Sequence, residues 1–316
     1  MWKYLTNDKY NDFLLSLNLV NTTDIKMVKK ILYNISNNID ANYDELIIRK
    51  KNGKPRFIHE PSSELKIIQK NILKNILEDM KLSRYSYAYK KGCSLKDNVI
   101  QHVNKNVVVK LDIKNFFDSI TFDKVYKTCF NETLYPESLG ILLTNLCVYN
   151  NKLPQGAPTS GYISNLVMRN FDETIGYYCD ENNISYSRYC DDMTFSGNFN
   201  VNKLILYVKD LLKEKNFKLN ERKTRIIKKN NRQQITGIVV NEKINICKKY
   251  KRKIRQEIYY IYKYGLTNHL LRINYEKKEK DYLLSLLGKV NYVYNIIPTK
   301  EFKNFYNYLM ELLKKY

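Results

Sequence analysis

The sequence predicts an α+β fold: a few antiparallel strands flanked by helices, followed by a helical end. Two observations carry this expectation. Short strand-like runs, Val107-Val108-Val109-Lys110-Leu111 and Ile184-Ser185-Tyr186-Ser187-Arg188 among them, stand between stretches whose apolar residues recur at helical spacing. Beyond Cys247 only the helical spacing remains.

With 316 residues the chain has ample length for a sizeable core, in one large domain or a few smaller ones. Its 54 Lys and Arg against 32 Asp and Glu leave a formal charge of +22, which points to a polyanionic partner. The wealth of Lys, Asn, Ile and Tyr also reflects an AT-rich coding sequence, but that bias does not by itself set Lys so far above Asp and Glu. The six cysteines show no Cys-x-x-Cys spacing and only three His occur, so neither a zinc site nor a disulfide framework is expected. Reduced thiols in a cytoplasm fit best. The first residues carry no apolar signal core, and no run approaches a membrane span.

Residues 1–45 read as short helices, with Ile25, Val28, Ile31, Leu32 and Ile35 near helical spacing. Residues 46–59 read as a hairpin turning at Asn52-Gly53. Its basic tip either protects an edge from aggregation or grips phosphate; on this stretch alone the two weigh equally. Pro61-Ser62-Ser63-Glu64 opens a helix with a Ser cap, and Leu65, Ile68, Ile72, Ile76 and Met80 give it a core stripe. Tyr85-Ser86-Tyr87-Ala88-Tyr89 suits base stacking or an ordinary strand. After Ser94 a helix carries Asn98 and His102 on one face; a lone His there is more often structural than catalytic.

Val107–Ile113 reads as a strand buried on both faces, which makes Asp112 exceptional: an acid there should be paired or ligated. Phe116 and Phe117 follow, as core or as a pocket wall. Leu153-Pro154-Gln155-Gly156-Ala157-Pro158 breaks the pattern before a helix from about Ser160. Phe217-Lys218-Leu219-Asn220 and Gln234–Val240 read as strands, the latter with a bulge or close approach at Gly237. Lys223, in a loop, is either a solvated surface lysine or a proton donor. Lys248, Lys249, Lys251, Arg252, Lys253 and Arg255 crowd the front of a later helix, a one-sided run that favours a nucleic-acid backbone over a merely solvated face.

Tyr189-Cys190-Asp191-Asp192 organises the rest. On an extended strand adjacent side chains point to opposite faces, but at a hairpin turn two carboxylates can converge. An isolated Asp-Asp is usually a solvated turn. Here the pair has strand context and a distant partner, Asp112, at another strand end. If those strands pair, three carboxylates meet, and such hard oxygen ligands suit Mg²⁺. Two such ions roughly 3.5–4 Å apart serve phosphoryl transfer.

The order and spacing of the basic hairpin, Asp112-x-x-x-Phe116-Phe117, Leu153-Pro154-Gln155-Gly156, Tyr189-Cys190-Asp191-Asp192 and Asn220-x-x-Lys223-Thr224 resemble reverse transcriptases over nearly the whole chain. Asn98-Val99-Ile100-Gln101-His102 and Ile235-Thr236-Gly237 resemble the Asn-Ala-x-x-His and Val-Thr-Gly elements of the bacterial retron branch; Val99 and Ile235 depart conservatively. The resemblance implies a right-hand polymerase with fingers at 1–105, a palm at 106–243 and a helical, basic, RNA-binding thumb at 244–316. It implies that Asp112, Asp191 and Asp192 are catalytic and bind two Mg²⁺, Mn²⁺ serving in vitro, with the Ile113 carbonyl as a further ligand. Phe117 would exclude a 2′-OH and so select dNTPs. Gln155 and Gly156 would line the nucleotide and template site, Lys50 and Arg56 would hold the triphosphate, and Lys223 would act near the leaving pyrophosphate. Asn98, His102, Thr236, Gly237, Lys249, Arg252, Lys253 and Arg255 would contact RNA.

Retron enzymes copy a structured noncoding RNA, prime from an internal guanosine 2′-OH, and yield a branched RNA–DNA hybrid. They are similar to one another in serving phage defence with an effector protein encoded nearby. An intron-type or diversity-generating reverse transcriptase is the alternative enzyme. An RNA-binding scaffold that restrains a toxic effector is the alternative from another class, and the acid triad argues against a purely scaffolding role.

Overall fold

The computed structural model describes residues 6–49, 53 and 55–315. In chain order they form α1 (Asn7–Ser16), α2 (Ile25–Asn37), β1 (Tyr43–Arg49), β2 (Pro55–Pro61), α3 (Ser63–Ile72), α4 (Leu95–Ile100), β3 (Val107–Asp112), α5 (Phe122–Cys129), α6 (Glu137–Cys147), α7 (Ser160–Glu181), β4 (Ser185–Tyr189), β5 (Asp192–Gly197) and α8 (Val201–Glu214). There follow β6 (Arg225–Lys228), β7 (Gln234–Ile235), β8 (Ile238–Val239), β9 (Asn245–Ile246), α9 (Lys248–Tyr264), α10 (Leu266–Arg272), α11 (Glu279–Ile296) and α12 (Lys300–Leu313). The fold class is α+β, as expected. The chain gathers into two compact units: Met1–Cys93, Lys110–Thr194 and Phe199–Arg225 in one, Ser94–Val109, Phe195–Asn198 and Ile226–Tyr316 in the other.

The first unit is built on long apolar faces and close approaches. β1 and β2 pair antiparallel from Tyr43↔Pro61 to Arg49↔Pro55, so a hairpin stands where one was expected; Asn52 lies outside the described residues. The Ser62 hydroxyl accepts from Leu65 N and starts α3, whose last turn passes into a π-turn at Leu73–Leu77, leaving Met80 beyond it. Along α7 two glycines admit aromatic rings: a Cβ on Gly176 would lie 2.0 Å from the Tyr85 ring, and one on Gly161 would lie 2.4 Å from that of Tyr89. β4, β5, β3 and β6 hydrogen-bond in that order.

Two expected strands are shorter than the sequence suggested. Between Phe217 and Asn220 a single bridge, Leu219 to Ile113, replaces a strand. Gln234–Val240 is not one bulged strand but the hairpin β7–β8, turning at Thr236 and Gly237 with φ of +46° and +89°. Positive φ at both central residues is the tight-turn geometry that matches strand twist. The 85–89 tyrosines form no strand, only one parallel bridge from Ser86 to Arg188.

The second unit has its own core. Val99, Val108, Ile235, Ile238 and Ile246 pack with Ile254, Ile258, Leu283, Leu286, Val290 and Leu309. The 94–109 segment is thus bound to the C-terminal helices by apolar burial. Leu283 is fully buried in that core. A Leu283→Ala chain is expected to lose roughly 2–5 kcal/mol of stability, read as a lower denaturant midpoint.

Candidate active site

β3 runs apolar to its last residue and there buries Asp112, which is 4% exposed. A carboxylate in that position needs partners, and it has two. Asn220 Nδ2 donates to Asp112 Oδ1 at 2.9 Å, and Lys223 Nζ to Oδ2 at 2.7 Å. The backbone fixes the same corner: Asn220 N donates to Asp112 O at 2.7 Å and Lys114 N to Lys218 O at 2.8 Å.

Ile113 N donates to Asp191 O at 3.0 Å, which ties the end of β3 to the β4–β5 turn. Cys190 makes that turn with φ +60°. Asp191 and Asp192 are half-buried in it. Burial pushes the Asp191 carboxyl above its ordinary range, and the charges of Asp112 and Asp192 push it the same way. Asp192 is likewise raised by burial and by Asp112, against the pull of Lys110. Burial would lower the Lys223 ammonium, but its bond to Asp112 and the three acids outweigh that and raise it.

The acids at 112, 191 and 192 therefore share one corner and feel one another. Among the described residues no three His, Cys, Asp or Glu side chains are already drawn into a ready-made ligand cluster. Instead Lys223 supplies the positive charge. The donor set fits a hard divalent cation: hard carboxylate oxygens, two of them in desolvated, mutually repelling acids that a cation would relieve.

One partnership under this corner was not legible in the sequence. Arg188 and Asp172 are both fully buried and face each other bidentately, Nε to Oδ1 at 2.8 Å and Nη2 to Oδ2 at 2.6 Å. Arg188 Nη1 donates to Cys190 O at 2.9 Å, and Tyr186 Oη to Asp172 Oδ1 at 2.8 Å. Arg188 was read only as a strand residue, and Asp172 lies in the apolar pattern of α7. The signal available was an acid amid buried helix positions with an Arg two residues before Cys190.

The remaining expected site residues divide. Phe117 is half-buried, its ring edge-on to buried Phe116 at 5.4 Å. Gln155 is half-buried and its carbonyl accepts from His59 N at 2.9 Å. Gly156 has φ +137°, and a Cβ there would strike His59 O at 2.5 Å. Arg56 is exposed on β2; Lys50 lies outside the described residues. Lys249, Arg252 and Lys253 are exposed on α9, and Gly237 is exposed at its turn.

Three expected RNA contacts need correction. Asn98 is 1% exposed, with Nδ2 on Thr236 Oγ1 at 3.5 Å. His102 lies past the end of α4, is fully buried, and its Nδ1 is 2.7 Å from Ser196 Oγ. Burial pulls its pKa down to about 3, so the ring is neutral. These side chains brace the Thr236 turn and the sheet and present no surface to RNA. Arg255 is bound bidentately to Glu301 at 2.6 and 2.7 Å, which occupies its fork, and Lys253 Nζ lies 3.9 Å from Glu257.

Comparison with known proteins adds lineage. The family model described as reverse transcriptase (RNA-dependent DNA polymerase) matches residues 48–277. The Retron Ec86 reverse transcriptase of Escherichia coli is 31% identical over 229 residues, covering 71% of this chain and 71% of its own. The Retron Ec83 reverse transcriptase of the same organism is 31% identical over 268 residues, covering 77% and 79%. The solved foamy viral protease-reverse transcriptase in complex with double-stranded DNA aligns over 92% of this chain and 43% of its own, with 14% identity and a TM-score of 0.45.

The buried pair makes a stability prediction. Arg188→Met leaves Asp172 charged and uncompensated and should cost about 3–5 kcal/mol. Arg188→Met with Asp172→Leu removes both charges and should recover most of that loss in thermal unfolding.

Proposed function

This chain belongs to the reverse transcriptase family, in its retron branch, and is an RNA-directed DNA polymerase; from that premise we propose that it copies a structured noncoding RNA, starting from the 2′-OH of an internal guanosine, to give a branched RNA–DNA hybrid. The observation that carries the catalytic part is the tie between Asp112 at the end of β3 and the Asp191-Asp192 turn. Enzymes of this family use divalent metal ions. Asp112, Asp191 and Asp192, with the Ile113 carbonyl, would hold two Mg²⁺, which activate the attacking hydroxyl and stabilise the leaving oxygen.

The chain's own groups do the rest. The primer hydroxyl releases its proton to solvent as its oxygen bonds to the α-phosphorus, the bond from that phosphorus to the α–β bridging oxygen breaks, and pyrophosphate leaves. Lys223 holds a proton beside Asp112 and is placed to neutralise or protonate that leaving group. Phe117 narrows the site against a ribose 2′-OH. Gln155 and Gly156 line the nucleotide and template side, and Arg56 with Lys50 reaches the triphosphate. A 2′-OH and a 3′-OH differ more in position than in reactivity, so unusual priming asks for RNA positioning and not for another catalytic group. Lys249, Arg252 and Lys253 on α9, with the turn at Thr236 and Gly237, supply that positioning. The names of the Ec86 and Ec83 relatives support the retron reading; a role in phage defence beside an effector encoded nearby is part of what we propose.

Asp191→Ala should abolish DNA synthesis while leaving the copurifying RNA bound; unchanged defence in that variant would favour an RNA scaffold. Reversing charge at Lys249, Arg252 and Lys253 should abolish priming on the cognate RNA and spare extension of a generic annealed primer, and equal loss of both would count against the positioning role. Phe117→Ala should raise ribonucleotide use relative to dNTPs by about tenfold or more in single-nucleotide insertion.

A further inference from the structure

The stretch from Tyr85 to Ala88 is stitched down on two sides. Arg188 N donates to Tyr85 O at 2.8 Å and Tyr87 N to Arg188 O at 3.0 Å, while buried Asn165 gives Nδ2 to Ala88 O at 2.6 Å. Tyr89 then turns left-handed, φ +53°, a conformation that a bulky L residue seldom takes. Such backbone persists where its surroundings over-determine it, and it clusters at functional sites.

The Tyr89 ring is held on one face and at one end. Its face rests on Gly161 at the start of α7, where any Cβ would lie 2.4 Å from the ring. Its hydroxyl donates to Cys190 Sγ at 3.8 Å, within the Tyr189-Cys190-Asp191-Asp192 turn. Yet Tyr89 is 55% exposed. Core packing does not account for that exposure, and a tether through the hydroxyl does not require a bare glycine beneath the ring. What the arrangement does provide is an aromatic ring seated on a bare glycine, tied to the turn that carries Asp191 and Asp192, and still more than half exposed. An open π-face next to a phosphoryl-transfer site suits a nucleobase, whichever base it is.

We propose that Tyr89 is a stacking platform for a nucleobase at the catalytic end of the primer–template duplex, and that it positions that end against Asp191 and Asp192. This rests on the polymerase reading above. The cysteine in the turn then serves as the anchor of the platform, through its sulfur.

The test uses the full chain and an annealed primer–template carrying 5-iodouracil at the terminal primer position or at the templating position. Irradiation should crosslink one of these to Tyr89 in the wild type and in Tyr89→Phe, and not in Tyr89→Ala. In steady-state extension, Tyr89→Ala should raise the primer–template KM by about tenfold, the scale of one lost base–aromatic stack, with a smaller change in kcat. Tyr89→Phe should stay within about threefold of wild type, since it keeps the face and loses only a weak bond to sulfur. Gly161→Ala, which pushes the ring off its seat, should resemble Tyr89→Ala. Wild-type KM in Tyr89→Ala, or crosslinks that never reach Tyr89, would overturn the platform and leave the polymerase standing. If Tyr89→Ala fails to fold, the wild-type crosslink and the Tyr89→Phe kinetics still decide. A wild-type chain unable to extend any annealed primer would overturn the polymerase reading, and the platform with it.

Discussion

The catalytic corner depends on a charge pair that never meets solvent. Arg188 and Asp172 are both fully buried, and the guanidinium turns its third nitrogen to the Cys190 carbonyl. A fully desolvated pair contributes little net stability by itself, yet breaking it strands a charge and is costly. That asymmetry makes it a rigid foundation. Asp172 sits on α7 and Arg188 on β4, so the pair locks helix to strand where the turn begins. The turn, with Cys190 left-handed, then presents Asp191 to the amide of Ile113. The buried pair therefore braces the turn that carries Asp191 and Asp192 through the Cys190 carbonyl.

Much of the site was legible because its constraints are local. An acid at the end of an apolar strand, or two acids at a hairpin turn, violate ordinary patterning, and the violations mark the chemistry. Asp112, Asp191 and Asp192 were found this way, as were the Pro-broken loop with Gln155 and the basic front of α9. The Ser62 cap was legible for the same reason: a cap is a bond within a few residues. Pairings between distant segments were not. Nothing local joins Arg188 to Asp172, or Arg255 to Glu301, and the second of these pairs with an acid a surface cation that charge counting had credited to RNA. Asn98 and His102 failed for a related reason. Helical spacing says which residues share a face but not whether that face meets solvent, and both were turned inward. At Gln234–Val240 the alternation suited a strand, and only the left-handed pair Thr236 and Gly237 turns it into a hairpin.

Lys223 shows how the corner manages its own charge. Three carboxylates in a half-buried corner repel one another, and burial first, with that repulsion added, raises the Asp191 and Asp192 carboxyls. An ammonium 2.7 Å from Asp112 offsets it from within the chain. The corner can therefore fold before any cation arrives, with an internal counter-ion standing in.

The bond from His59 N to the Gln155 carbonyl, with Gly156 pressed against His59 O, joins the β1–β2 hairpin to the Pro-rich loop ahead of α7. The two behave as one lever. Whatever the hairpin grasps, its displacement is passed to Gln155 without slack, because the glycine leaves no room for a side chain to act as a cushion. On the reading proposed above, in which the hairpin holds the triphosphate and Gln155 lines the template side, grip and base seating become a single mechanical event, and a change of length in the hairpin should be felt as a loss of copying accuracy.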